Sequence, residues 1–269
     1  MKTSALAVAS WFLLPCLGPA APAPEEKVPP DSQAVLDDIG VPPLPGSPAT
    51  DSPSFQPFTR EQAEKYAPGG DDSDLRKAVR KARVLLWAIS DMPAPKNVAE
   101  DVAAARKRLS IQLPGLTDAY HQPANENKFK EQVETDERAV ASLMAEVDDE
   151  LEGLRTAGQK RGQETARWQA NYDLMLARLE TEYVFLLEYQ SMLGQMRKEV
   201  PPLAAGQNGW KLVPQTAVHG DAEGKKLARE ARKLLDTVMQ NHPGTPWDVL
   251  AQQYKAAPLS VQWQGVTIK

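Results

Sequence analysis

The chain has few of the residues from which catalytic and metal centres are usually built, with one cysteine and three histidines among 269 residues. The cysteine, Cys16, lies in an apolar N-terminal stretch that we expect to be removed. The mature chain would then hold no thiol, which excludes a structural disulfide, a cysteine nucleophile and a thiolate metal site. Aromatic residues are also scarce, at 6% of the chain.

Motifs of catalysis and metal binding are missing as well. None of His121, His219 and His242 lies at helical spacing from another histidine, so the sequence lacks the paired histidines of a zinc-protease helix. There is no Gly-x-Ser-x-Gly nucleophile elbow, and the glycines before Lys225 are one residue too close for a phosphate loop. The sequence therefore predicts no catalytic residue, no metal ligand and no cofactor. His242, which precedes Pro243, is interpreted as ending a helix.

Charge and hydropathy narrow the class of protein further. The formal net charge is -5, the pI is about 5.4, and charged residues make up 25% of the chain. An acidic balance disfavours nucleic-acid binding. The longest apolar run falls short of the roughly 20 residues that a stable membrane span needs.

The first 23 residues are typical of a secretory signal peptide. Lys2 gives a positive start, an apolar run from Ala5 to Gly18 follows, and small residues such as Ala20 come next. The sequence therefore predicts a signal peptide over 1–23 and export to the periplasm or the cell surface.

Residues 24–57 hold nine prolines among serine, aspartate, glycine and threonine. Proline removes backbone donors, so this segment is predicted to be an extended or disordered tether. The alternative interpretation is a ligand for a proline-reading module.

Residues 58–199 are predicted to form a helical bundle in an all-α protein. A capping box at Thr59 and Gln62 opens a short helix, and apolar periodicity over 75–89 and 98–109 predicts two more. Residues 116–127 are predicted as a loop.

Two long helices dominate this bundle. Apolar residues recur seven apart in each, which is typical of a long packed seam. The seams contain Val133, Val140, Val147 and Leu154 in the first helix and Tyr172, Leu179, Leu186 and Leu193 in the second. Gly158 and Gly162 favour a turn between them, and hence an antiparallel pair. Asp136, Glu150 and Glu182 interrupt the seams, which favours a bundle over an autonomous coiled coil.

Residues 200–269 are predicted as a loop, a small helical hairpin and a short extended C-terminal segment. The hairpin turn over 241–245 is followed by Pro246 at the first helical position, and Asp248 favours the positive end of the helix dipole. Apolar and polar residues alternate over 259–263, which predicts an extended tail that is placed to pair with the segment around Trp210.

Opposite charge collects on two of the predicted helices. From Asp74 to Arg108 nine residues are basic and four acidic, whereas from Glu134 to Glu152 eight are acidic and one is basic. We expect these faces to dock against each other or to lie in solvent. The alternatives are an acidic partner, such as an envelope polymer, for the basic helix and weak cation binding by the acidic face.

Three aromatic residues are the candidates for contact with a partner. Tyr189 and Phe185 are expected to point away from the long seam, and Trp263 lies in the extended tail. An exposed aromatic patch is typical of a protein-binding surface. Trp247 and Pro246 are instead interpreted as structural supports.

Several stretches, among them ETARWQANYDLMLARL, GWKLVP and HPGTPWDVLAQQ, occur in a fixed order, and residues 242–247 are the most specific part. They resemble a helical region of exported bacterial proteins that is often found carboxy-terminal to a von Willebrand factor A domain. The resemblance covers about residues 74–264 and implies an accessory region of the cell envelope that engages other proteins, with no known reaction. The Asp-x-Ser-x-Ser metal motif of the adhesion domain is absent from this sequence, so no metal ligand is carried over. The last two helices also resemble one tetratricopeptide-type hairpin.

The resulting hypothesis is an exported, non-catalytic helical scaffold or protein-interaction module of the bacterial cell envelope, with an unidentified envelope or extracellular protein as partner. The alternative is an envelope hydrolase that uses carboxylates on the second long helix, such as Glu180 and Glu188. Their spacing places them about 12 Å apart along the axis, farther than paired glycosidase carboxylates. Homo-oligomerisation is a third possibility, because the long helices pair either within one chain or between chains.

Overall fold

The computed structural model describes residues 35, 39–44, 47, 55–70, 72–90, 92–109, 119–121 and 126–268. The signal peptide predicted over 1–23 lies outside these residues. The helices are α1 (Arg60–Lys65), α2 (Asp74–Ile89), α3 (Ala99–Leu109), α4 (Glu126–Gly158), α5 (Ala166–Lys198), α6 (Ala222–Asn241) and α7 (Pro246–Ala256). The strands are β1 (Ala119–His121), β2 (Gly209–Gln215) and β3 (Ser260–Val266). The predicted helical bundle is therefore confirmed.

The two long helices, α4 and α5, run antiparallel within one chain. Arg155 near the end of α4 pairs with Glu180, whereas Glu137 near its start pairs with Arg197 close to the end of α5. Contacts in this order arise only when the two helices run in opposite directions. The turn between them contains a 3₁₀ segment, Arg161–Gln163, as the two glycines predicted.

Each of the three acidic residues that interrupt the seams has a polar partner in the fold. The pairs and their distances are Asp136 with Tyr120 (2.8 Å), Glu150 with Lys81 (2.6 Å) and Glu182 with Arg178 (2.7 Å). Burial of a charge without such a partner would be costly, so these contacts explain why the seams tolerate acidic residues.

The central helix of the bundle is α5. Of its 33 residues 20 are buried, against 8 of 33 in α4. Around it lie α2, α4, α6, α7 and β3. The buried residues of α5 therefore surround its axis, whereas those of α4 form one stripe.

The three strands form an antiparallel sheet in the order β1–β2–β3. Leu212 lies opposite Trp263, which confirms the predicted pairing of the C-terminal tail with the Trp210 segment. The loop predicted over 116–127 is wrong for β1, where Tyr120 pairs with Trp210. The ring of Tyr120 is buried against Phe129 and Trp263, and this packing holds the short strand in place.

Part of the predicted tether belongs to the core. Val35, Ile39 and Leu44 are buried, and the carbonyl oxygen of Gly40 accepts hydrogen bonds from Arg83 and Trp87, both at 2.8 Å. The prediction of a disordered tether over 24–57 is therefore wrong for these residues. Three buried apolar side chains pack this part of the chain against the core. We call it the anchor (residues 35 and 39–44).

Candidate functional site

An open groove of about 750 Å³ lies at the C-terminal end of α5. Its apolar lining consists of Met192, Met196, Pro201, Pro202 and Trp263. Lys198 and Glu199 add one group of each charge to the lining, and His219 adds an imidazole. The volume falls within the range of about 300–1,000 Å³ that is typical of ligand-binding clefts.

Neighbouring residues hold Trp263 in place within the groove. Its indole Nε1 donates a hydrogen bond to the carbonyl oxygen of Met192 at 2.8 Å. The ring also packs edge-to-face against Tyr120, with 5.2 Å between the ring centroids. Met192 and Met196 are four residues apart and therefore lie on the same face of α5. The apolar part of the groove is thus held in place by contacts within the chain.

The groove follows an edge of the sheet. Gln262 and Trp263 are consecutive in β3 and both line it. Consecutive residues of a strand point to opposite faces, so a groove that touches both side chains runs past the edge of the strand. In the described part of the chain β3, like β1, is an outer strand of the sheet with only β2 beside it.

The expected exposure of Phe185 and Tyr189 is wrong. Each of the two side chains is only 1% exposed, and their rings lie 6.4 Å apart within the core. The side of α5 that faces away from α4 is covered by other elements, so a residue outside the seam is not thereby on the surface. Of the three aromatic candidates only Trp263, which is partly buried, has surface in the groove.

Glu188 is fully buried, and its carboxylate joins three parts of the chain. It accepts hydrogen bonds from the backbone N–H groups of His219 and Gly220, both at 2.8 Å, and from the Ser260 hydroxyl at 2.6 Å. A side chain at Gly220 would collide with this carboxylate. Glu180, the other carboxylate of the hydrolase hypothesis, pairs with Arg155. Both carboxylates are therefore engaged in internal contacts.

A chain of hydrogen bonds links the residue that follows α1, the helix α5 and the turn between α6 and α7. The Tyr66 hydroxyl lies 3.0 Å from His242 Nδ1, and His242 Nε2 lies 3.3 Å from a carboxylate oxygen of Asp173. Arg161 binds the same carboxylate with two guanidinium nitrogens. The tautomer that donates from Nε2 to Asp173 and accepts from Tyr66 at Nδ1 satisfies every partner.

The sequence predicted the turn between α6 and α7 but not this hydrogen-bond network. The interpretation of His242 as ending a helix is confirmed, since α6 ends at Asn241 and the N–H of His242 bonds to Val238. Trp247 also acts as the expected structural support, because it is buried and its Nε1 donates to Asn171 at 2.8 Å. The distant partners Tyr66 and Asp173 carry no local signal that would connect them to the turn.

The oppositely charged helices dock in part, as expected. Lys81 of α2 pairs with Glu150 of α4 at 2.6 Å, and Arg108 of α3 pairs with Glu146 at 2.7 Å. At least part of the opposite charge seen in the sequence thus holds the helices of the bundle together.

Behind the groove, burial changes the acidity of two groups. It raises the pKa of Tyr120 above its usual range, and the nearby Tyr189 and Asp136 add to the shift. Burial also raises the pKa of Asp136, which the hydrogen bond from Tyr120 partly offsets. The Tyr120 hydroxyl therefore stays protonated at neutral pH and donates to Asp136, which fixes the ring against which Trp263 packs.

Within the described ranges, no three or more histidine, cysteine, aspartate or glutamate residues come together in a way that could hold a metal ion. The helices described by the structure include none with both the length and the apolar character that a membrane crossing requires. Comparison with known proteins finds no match to the chain among family models, curated proteins or solved structures.

Proposed function

We propose that the chain is an exported, non-catalytic protein-interaction module of the bacterial cell envelope, and that it binds its partner in the groove at the end of α5. The observation that carries this proposal is the position of Trp263, which lies in an open apolar groove along an outer strand of the sheet. The signal peptide predicted over 1–23 and the resemblance centred on residues 242–247 support the location.

The chemistry of the groove favours an extended peptide segment as the occupant. Such segments add a strand to an exposed sheet edge, with backbone hydrogen bonds giving affinity and side-chain pockets giving specificity. β3 is an outer strand of the sheet, and Met192, Met196 and Trp263 line the groove beside it. Methionine adapts to differently shaped side chains, and tryptophan often contributes much of the binding energy at interfaces. The partner we expect is an envelope protein with an extended segment that carries an apolar side chain.

A site-specific photo-crosslinker tests this proposal in the full chain in its own cells. Gln262 and Gln264 are both exposed on β3, but only Gln262 lines the groove. The crosslinker at Gln262 is expected to give a discrete adduct with an envelope protein, at a yield at least fivefold above that from Gln264. The crosslinked peptide, identified by mass spectrometry, should be an extended segment with an apolar residue.

A second measurement separates the groove from the strand that borders it. In a chain with the crosslinker at Gln195, which also lines the groove, Gln262→Arg should lower the adduct yield and Gln264→Arg should not. Equal adduct yields from positions 262 and 264, or no adduct from either, would show that the groove is not the binding site.

A further inference from the structure

One side of α5 is left half-exposed by the other elements of the fold. Between Ala170 and Gly194 every residue outside this side is buried, apart from Ser191. The half-exposed residues recur three and four apart and are Asp173, Leu176, Glu180, Tyr183, Leu187, Gln190 and Gly194. Such spacing is that of the a and d positions of a heptad, which usually face another helix. From the first to the last of these residues the side extends about 32 Å, at a rise of 1.5 Å per residue.

The helices α4 and α6 border this side of α5. Arg155 of α4 pairs with Glu180, and a side chain at Gly224 of α6 would touch Leu187. In the described part of the chain both helices pack against α5 but not extensively against each other. The three helices thus form a trough, with the half-exposed side of α5 as its floor and α4 and α6 as its walls.

The end of the trough nearest the C-terminus of α5 is an open cleft of about 500 Å³. Its lining includes Glu137 of α4, Gly194 of α5 and Gly220 of α6. Because Gly194 has no side chain, it leaves room for a further segment to approach the floor. Gln195 and Lys198 line both this cleft and the groove described above, so the two sites are adjacent.

Both walls present residues to the trough at helical intervals. The exposed residues on one face of α4 are Ala141, Ala145, Asp148 and Glu152. The exposed or half-buried residues on one face of α6 are Glu223, Leu227, Glu230 and Leu234. Members of each set are three or four residues apart and therefore share a face. A helix lying in the trough would meet side chains of all three helices at the intervals found in a four-helix bundle.

Unpaired carboxylates lie along the trough. Burial raises the pKa of the Tyr183 hydroxyl, and the nearby Asp148, Glu180 and Glu223 raise it further. Both walls therefore bring negative charge to the floor. Among the described residues, no ion pair involves Asp148, Glu152 or Glu223.

Most basic side chains beside the trough are already paired with carboxylates. The pairs are Arg161 with Asp173, Arg155 with Glu180, Arg197 with Glu137 and Lys226 with Glu230. Lys198, which lines the cleft, belongs to none of these pairs. The uncompensated charge along the trough is thus mainly negative, and an occupant with basic groups complements it.

We propose that the trough binds an amphipathic helix of a partner protein, with an apolar face toward α5 and lysine or arginine residues on its flanks. Leu176, Tyr183 and Leu187 provide the apolar contacts of this helix-in-groove mode of recognition. The free carboxylates of the walls select basic flanks and speed association. This site is independent of the proposed groove, because its contacts do not include Trp263.

The test titrates the full chain with a labelled synthetic helix of about 21 residues, in which leucines recur three and four apart and lysines flank them. Fluorescence anisotropy should show micromolar binding at about 20 mM salt and at least tenfold weaker binding at about 500 mM, because salt screens the carboxylates. A peptide with glutamate in place of each lysine should not bind. Equal binding of the two peptides, or binding of neither, would overturn the proposal.

Matched substitutions in the full chain locate the bound peptide. Asp148→Lys should weaken binding at least fivefold, whereas Asp149→Lys, exposed about 100° further round the same helix, should change it less than twofold. Tyr183→Ala should weaken binding at least tenfold, and Met92→Ala, at an exposed apolar residue outside the trough, should have no effect. Far-ultraviolet circular dichroism shows whether each variant is folded, and the exposed Asp148 pair remains decisive where Tyr183→Ala is not.

Two outcomes of these measurements would contradict the proposal. Equal losses for Asp148→Lys and Asp149→Lys would mean that the peptide senses only the net charge of the chain. Light scattering of the chain without peptide should give a monomer mass. A dimer that Asp148→Lys and Tyr183→Ala both dissociate would show that the trough binds a second copy of the chain instead of a partner.

Discussion

The helices α4 and α5 have the same length and similar heptad patterns, yet they have different surroundings. Polar residues of α4 mostly face solvent, whereas α5 buries Arg167, Asn171, Arg178, Thr181, Glu182 and Glu188. The difference arises because α4 covers one side of α5, while α2, α6, α7 and β3 cover much of the rest. A polar side chain on α5 therefore needs an internal partner, and a polar side chain on α4 usually does not.

The comparison is sharpest for two ion pairs with the same helical spacing. Arg178 and Glu182 of α5 are 2% and 3% exposed, whereas Arg138 and Glu134 of α4 are 72% and 44% exposed. We expect Arg178→Met to lower the free energy of unfolding by about 4 kcal/mol, because it leaves the Glu182 carboxylate buried without its cation. Arg138→Met should cost less than about 0.5 kcal/mol. Urea unfolding at pH 7 measures both values.

The double variant Arg178→Met with Glu182→Leu serves as the control for this prediction. It should recover most of the lost stability, because an apolar pair of similar volume replaces the buried charges. Similar losses for the single variants on α4 and α5 would mean that the two helices do not differ in the way described.

Glu188 gives the next largest expected effect. Glu188→Gln keeps the shape of the side chain but puts an amide group where donors from His219, Gly220 and Ser260 converge. We expect a loss of about 2 kcal/mol in unfolding free energy, together with faster hydrogen exchange at the amides of His219 and Gly220. Glu152→Gln, at an exposed position of α4, is the matched control and should change stability by less than about 0.5 kcal/mol. Unchanged exchange at these two amides would argue against the role assigned to Glu188.

The smallest expected effect is a gain in stability. The hydroxyl of Tyr254, whose ring packs against the guanidinium of Arg178, is buried and has no hydrogen-bond partner among the residues that the structure describes. Tyr254→Phe should therefore raise the unfolding free energy by about 0.5–1 kcal/mol at pH 7. A loss of stability would indicate that the hydroxyl has a partner in solution.

The pH dependence of the same variant provides a second check. Burial raises the pKa of Tyr254 to about 12, whereas the unfolded chain ionises near the ordinary value of 10.0. Between these values the folded state binds more protons than the unfolded state, so the wild type loses stability as the pH rises from about 10 to 12. Tyr254→Phe removes this contribution, and the difference in stability between the two proteins should widen over that interval. Thermal unfolding of both proteins at pH 8, 10 and 11 measures it.

Local patterns in the sequence predicted the helices well because their signals are close together along the chain. The capping box of Thr59 and Gln62 forms, Pro246 begins α7, and of the two expected glycines Gly158 ends α4 and Gly162 lies in the turn that follows. The pairing of β2 with β3 also followed from alternating apolar residues. These features depend on contacts between near neighbours or on strong turn residues.

The candidate site was predicted only in part, because burial on α5 depends on elements far away in sequence. Trp263 was selected and lies in the groove, whereas Phe185 and Tyr189 were selected and lie in the core. Heptad spacing identifies the face toward α4 but contains no information about a second layer on the opposite face. The anchor was missed for a similar reason. Its prolines predicted a tether, and only three apolar residues indicated that this part of the chain packs against the core.

The bond between Ser260 and Glu188 bears on how β3 is aligned within the sheet. A slip of one residue along β2 would take the Ser260 hydroxyl away from the carboxylate and turn the side chain of Val261, now completely buried, toward solvent. The same slip would reverse Trp263 and dismantle the groove. One carboxylate on the central helix therefore helps to fix the register of the strand that borders the groove.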